Sequence, residues 1–235
     1  MDRFSPLKNP LVIALDVDSD TQALKLAVDL ADFAGGYKLG PRLIHRYGPE
    51  FVAKIAEIAP LFVDCKFFDI PSTMESAVQA SFDCGASLVT VHAMAGREAL
   101  TRLAELEKKL NEQRPFRILA VTILTSWNEK SFPANFKSLP VAEHVQNLVE
   151  LVQSSGLSGV VCSPEELDFL QGKDLYLVAP GIRPESVSKD DQQRTRTPFE
   201  AMKAGASALV IGRPIIAATD PMKAALEISL TMVGR

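Results

Sequence analysis

The sequence predicts an α/β chain folded as one closed (β/α)8 barrel, the TIM-barrel architecture, as a single domain over residues 1–235. Three observations carry that expectation. Short β-branched or apolar runs alternate with longer amphipathic stretches, eight of each. Most of the short runs are hydrophobic at nearly every position, as parallel strands covered on both faces must be. The length of 235 residues suits a barrel built as one unit.

The first strand is expected over 11–15 and its helix over 21–33. There Ala23, Leu24, Ala27, Leu30 and Ala31 recur at helical spacing behind a cap at Ser19 or Asp20. A strand over 36–39 leads into a helix over 41–59. Strands 61–66 and 87–92 are followed by helices 72–83 and 97–111. Strands 117–122 and 159–162 precede helices 141–154 and 164–170, and strands 175–179 and 208–211 precede helices 198–204 and 221–232. An open doubly wound sheet shares this alternation, but it normally places a GxGxxG turn after its first strand. Asp16-Val17-Asp18-Ser19 is nothing of that kind. Two polar loops, 123–138 and 182–197, follow the fifth and seventh strands, at the barrel end where chemistry is done, and either is suited to closing over a ligand.

Composition narrows the class. Hydrophobic residues make up 47% and charged residues 23%, as in a soluble globular protein. A net charge of -4 offers no broad basic field, so no nucleic-acid partner is expected. No apolar run approaches the roughly 20 residues that span a bilayer, and the first residues carry no leader-like apolar core; no membrane association and a cytoplasmic location are the expectation. Cys65, Cys84 and Cys162 form no CxxC pair or Cys/His cluster, so they read as reduced thiols and not metal ligands.

The densest group of reactive residues is Asp64-Cys65-Lys66-Phe67-Phe68-Asp69-Ile70-Pro71. On a strand, residues i and i+2 share a face, so Asp64 and Lys66 should both point into the barrel mouth, with Asp69 in the following loop. A lysine between carboxylates stays an ammonium, a poor Schiff-base nucleophile but a good cation and proton donor. An ordinary rim ion-pair network is the bland alternative.

The run DCKFFDIPST, residues 64–73, resembles the DxKxxDIPxT signature of orotidine-phosphate decarboxylases. In the expected order stand ALD at 14–16, YKLG at 37–40, VTILTS at 121–126, PGIRP at 180–184, DQQR at 191–194 and IGRP at 211–214. These fragments span nearly the whole chain. The resemblance implies a carboxy-lyase of de novo pyrimidine biosynthesis that converts orotidine 5'-monophosphate to UMP and CO2 with no metal or organic cofactor. It implies a homodimer in which a Lys-Asp-Lys-Asp array surrounds the scissile carboxylate, matched here by Lys38, Asp64, Lys66 and Asp69. Asp69, with Ile70 and Thr73, would serve the neighbouring subunit's site. Asp16 matches the residue that binds the ribose hydroxyls, with Lys38 beside it and Asp18 as the weaker alternative. Thr125 and Ser126 match the segment reading the pyrimidine edge, Gln192 the residue bridging phosphate and base, and Gly181, Arg183, Gly212 and Arg213 the phosphate end. Lys66 would stabilise the carbanion left at C6 and then protonate it.

Several residues read as ordinary structure. His92 ends the fourth strand as a packed histidine, His45 and His144 fall on helices, Trp127 packs its loop, and 104–109 is a solvated helix face. The chain departs from the family pattern at Cys65, where leucine is common, at Phe68, where histidine is common, and at Ser72, where asparagine is common. None of these removes a charge from the array. Two rival readings share part of the pattern. One is a Mg2+-dependent hexulose-phosphate synthase or keto-gulonate-phosphate decarboxylase of the same superfamily; the other is a noncatalytic nucleotide-binding barrel.

Overall fold

Each apolar run pairs with its sequence neighbours on either side, and the last returns to the first, so no strand edge is left open. The computed structural model describes residues 5–184 and 196–232. The strands are β1 (Leu11–Ala14), β2 (Gly36–Leu39), β3 (Leu61–Phe67), β4 (Ala86–His92), β5 (Arg117–Val121), β6 (Gly159–Val161), β7 (Tyr176–Pro180) and β8 (Ala208–Ile211). Every pairing is parallel, including β1 with β8.

The helices are α1 (Asp20–Asp29), α2 (Pro41–Ile58), α3 (Pro71–Asp83), α4 (Gly96–Asn111), α5 (Val141–Ser154), α6 (Leu167–Leu170), α7 (Pro198–Lys203), α8 (Arg213–Ile216) and α9 (Pro221–Met232). No helix among the described residues is long and apolar enough to cross a membrane.

The strands read as continuously hydrophobic because each face meets a different core. Val12, Ala14, Phe62, Leu88, Leu119, Val121 and Val178 fill the barrel interior, while Leu11, Ile13, Leu61, Val63, Val89 and Ile118 pack outward against the helices. The interior is closed at the N-terminal end of the strands. There the Arg117 guanidinium lies 4.6 Å over the Tyr176 ring and donates to Ser158 Oγ at 2.8 Å. The cavity that opens onto the barrel interior and gathers the charged strand ends lies at the opposite end.

The structure differs from the sequence reading in a few places. Ser19 is the cap of α1, accepting from the Gln22 N–H, and the helix stops at Asp29 because Leu30 leaves helical geometry before the chain turns into β2. The expected single helix over 41–59 is two segments joined at Gly48, at φ 74°, followed by Pro49, which has no N–H to continue the ladder. The expected helix over 164–170 is a 3-10 turn at Pro164–Glu166 followed by α6. The solvated face over 104–109 does not include Glu107. Its carboxylate accepts the Ile118 N–H at 2.5 Å, and burial pushes its pKa up to about 7 against that bond and the Arg117 charge. The three cysteines are free thiols.

Candidate active site

The C-terminal ends of the strands surround a cavity of about 510 Å³. Its wall takes Asp16 from the turn after β1, Lys38 from β2, Asp64 and Lys66 from β3, and Thr125 and Ser126 from the loop after β5. Gly181 and Arg183 follow β7, and Gly212 and Arg213 follow β8. These ten residues, all expected at the site from the sequence, thus meet in one place, with Phe62, Val121, Val161 and Val210 as an apolar floor.

One side of the cavity is a row of alternating charge. Lys38 Nζ lies 3.1 Å from Asp16 Oδ1 and 3.7 Å from Asp64 Oδ2, while Lys66 Nζ lies 2.7 Å from Asp64 Oδ1. Burial alone would raise the Asp64 pKa. The Lys66 and Lys38 ammoniums, with hydrogen bonds from Lys66 and Thr90, override it and hold the carboxyl below the usual range. Asp64 is therefore an anion that locks two cations at the mouth. Asp18 turns away and pairs with Arg42 at 2.9 Å, while its carbonyl takes bonds from Arg46 and Tyr47; of the two aspartates, Asp16 alone lines the cavity.

Lys66 reaches the mouth, but not by simple strand alternation. Its φ is 50°, the one positive value among described non-glycine residues, a region an L side chain seldom enters. The β3–β4 register explains it: Val63 pairs with Val89 and Phe67 with Val91, so four steps on β3 run against two on β4. In place of a strand carbonyl, the Lys66 N–H donates to Thr90 Oγ1 at 2.9 Å, and the same hydroxyl donates to Asp64 Oδ1 at 3.0 Å. The sequence reading passed over Thr90. Its signal was a hydroxyl in the apolar strand Leu88-Val89-Thr90-Val91, in step with the inward-facing Leu88.

At the far end, Gly181 adopts φ 80°, a conformation that favours glycine, and the Arg183 N–H donates to the Arg196 carbonyl at 3.0 Å. Arg183 is buried, so it is no solvated surface arginine. A Cβ on Gly212 would stand 3.3 Å from Ala14 Cβ and narrow this corner, while Arg213 opens α8 beside it with an exposed side chain. Gln192 lies outside the described residues.

The loop after β5 is already folded on itself. Trp127 does not line the cavity; its ring packs 5.9 Å from Phe132 and 5.8 Å from Phe136, and His144 of α5 lies 5.0 Å from Phe132. His92 is packed as expected: its Nδ1 accepts the Met94 N–H, Phe68 lies 5.5 Å away, and burial, aided by the Lys66 charge, lowers its pKa.

Asp69 and Thr73 do not join this cavity. Asp69 is exposed, its Oδ1 accepting the Ile70 N–H at 2.7 Å, and Thr73 is exposed on α3. Phe68 and Ile70, on either side of Asp69, are 60% and 64% exposed, an apolar surface at the rim.

Comparison with known proteins bears on this geometry. Residues 9–228 match the model of the orotidine 5'-phosphate decarboxylase / HUMPS family. Orotidine 5'-phosphate decarboxylase from Geobacter sp. (strain M21) is 40% identical over 224 residues, covering 93% of each chain. The protein of the same description from Rhodospirillum rubrum is 40% identical over 235 residues, covering 97% of this chain and 95% of that one. The solved structure of orotidine 5'-phosphate decarboxylase from Lactobacillus acidophilus superposes with a TM-score of 0.82 at 32% identity, covering 96% of this chain and 99% of that chain. With its eight-stranded barrel and charged mouth, this chain belongs to the orotidine 5'-phosphate decarboxylase / HUMPS family.

Proposed function

We propose that this chain is an orotidine 5'-phosphate decarboxylase, converting orotidine 5'-monophosphate to UMP and CO2 as a cytoplasmic homodimer. The observation that carries the reading is the Lys66 ammonium, 2.7 Å from a carboxylate that is itself held ionised at the cavity mouth. Loss of CO2 from C6 leaves an electron pair in the plane of the ring, where resonance cannot spread it. A cation fixed beside that carbon before reaction stabilises the pair as it forms, and needs no reorganisation to do so. Lys66 then transfers its proton to C6, so one side chain acts as electrostatic stabiliser and general acid. Asp64 holds the Lys66 side chain in place, and Lys38, tied to both Asp64 and Asp16, holds the next position in the row.

The remaining groups bind. Asp16 and Lys38 face the ribose, Thr125 and Ser126 the pyrimidine edge, and Gly181, Arg183, Gly212 and Arg213 the phosphate, joined there by Gln192. Asp69 completes the array from the partner subunit, with Ile70 and Thr73 beside it. The charges this mechanism uses are side-chain charges, so no metal enters it.

The direct test is the fall in orotidylate absorbance on addition of purified protein pretreated with EDTA. Turnover that persists with chelator is expected. Tight UMP binding without turnover would make the chain a nucleotide-binding barrel, and activity lost to EDTA and restored by Mg2+ would remove the metal-free mechanism.

Arg213→Ala separates binding from chemistry. A guanidinium can bind phosphate through two charge-assisted hydrogen bonds, and its loss should lower kcat/KM by about 10- to 100-fold, mostly through KM. Steady-state kinetics check this; an Arg213→Ala profile that matched Lys66→Ala would merge the two roles.

A further inference from the structure

We propose that Thr90 is a positioning residue for the decarboxylation, setting where the Lys66 ammonium stands by holding the Lys66 backbone and the Asp64 carboxylate with one hydroxyl. The proposal rests on the decarboxylase reading above.

Thr90 is fully buried on β4 and does not line the cavity, so it has no route to the substrate except through its neighbours. Its Oγ1 accepts the Lys66 N–H at 2.9 Å and donates to Asp64 Oδ1 at 3.0 Å, and that same Oδ1 takes Lys66 Nζ at 2.7 Å. The bonds form a ring that begins and ends on Lys66, joining its backbone nitrogen to its ammonium. Their polarity is fixed. A carboxylate can only accept and an amide N–H can only donate, so a hydroxyl, which does both, fits between them in one orientation.

The ring answers two local costs. The register slip between β3 and β4 leaves the Lys66 N–H without a regular ladder partner, and a buried amide without one is expensive. Lys66 also sits at φ 50°, which persists only where surrounding contacts over-determine it. The Thr90 hydroxyl meets both needs. Valine has nearly the same shape but neither donates nor accepts, so Thr90→Val removes the ring and leaves the packing.

The experiment measures kcat and KM for orotidylate and the Kd of UMP in the full-length wild type, Thr90→Val and Thr90→Ser. In Thr90→Val, kcat should fall by about 10- to 100-fold, the size of a lost charge-assisted hydrogen bond, with KM and UMP Kd within about two-fold. Thr90→Ser keeps the hydroxyl and should recover kcat to within about three-fold. If Thr90→Val is recovered unfolded, Thr90→Ala carries the same test. The proposal is overturned by a valine variant that keeps more than about half its kcat, by a serine variant as impaired as the valine, or by UMP affinity falling in step with kcat. Wild-type protein that fails to decarboxylate orotidylate removes the decarboxylase reading and this proposal with it. An active wild type with an undiminished Thr90→Val removes this proposal alone.

Discussion

Lys66→Ala is expected to lower kcat by at least about 10,000-fold while UMP binds within about ten-fold of its wild-type affinity. Two contributions end together. A fixed cation beside developing negative charge contributes on the order of 100- to 1,000-fold, and a positioned general acid about 100-fold or more. The combined loss is about 5.4 kcal/mol of transition-state stabilisation. The ground state should lose less, because the contacts proposed for phosphate, ribose and base lie on other strands. Single-turnover decarboxylation and UMP titration measure the two quantities separately. A kcat lowered by only ten-fold would move the proton-donating role to another residue.

Mixing Lys66→Ala with Asp69→Ala subunits is expected to restore about a quarter of wild-type activity from two nearly inactive parents. In a two-fold dimer that shares Asp69, one site of each hybrid receives an intact Lys66 from one chain and an intact Asp69 from the other. Its second site has neither. Random exchange makes half of the dimers hybrid, which leaves a quarter of all sites intact. The observation behind this is that Asp69 stands exposed and outside its own chain's cavity, between Phe68 and Ile70, large apolar side chains that a second copy would cover. Subunit exchange is verified by native mass spectrometry before assay. No recovery in verified hybrids would place Asp69 within its own subunit's site or outside catalysis.

Much of this molecule is legible in the sequence, and the illegible parts have particular causes. The strands could be read because a barrel strand buries both faces, so β1 and β8 are unbroken apolar runs. The cavity residues could be read because they stand at or just after the ends of strands, and most carry charge or a hydroxyl where an apolar residue would otherwise stand. Thr90 showed itself only as a hydroxyl in an apolar strand; its role was illegible because it comes from a register slip, and pairing between strands is a three-dimensional fact with no local signature. The Lys66 backbone was illegible for the same reason: alternation puts its side chain on the correct face, and nothing local marks the φ of 50°. Glu107 misled because the charges around it are solvated, and its partner, the Ile118 N–H, belongs to a different element.

The cluster of Trp127, Phe132, Phe136 and His144 has a thermodynamic consequence. Ordering a residue costs on the order of 1–2 kcal/mol of backbone entropy, and a loop that orders only around its ligand subtracts that cost from affinity. Here the rings of the loop pack on one another and on His144 of α5, so contacts within the chain itself offset part of that cost. On the proposed reading, a nucleotide that meets Thr125 and Ser126 would use less of its contact energy on ordering this loop, leaving more for the carbon that gives up its carboxylate.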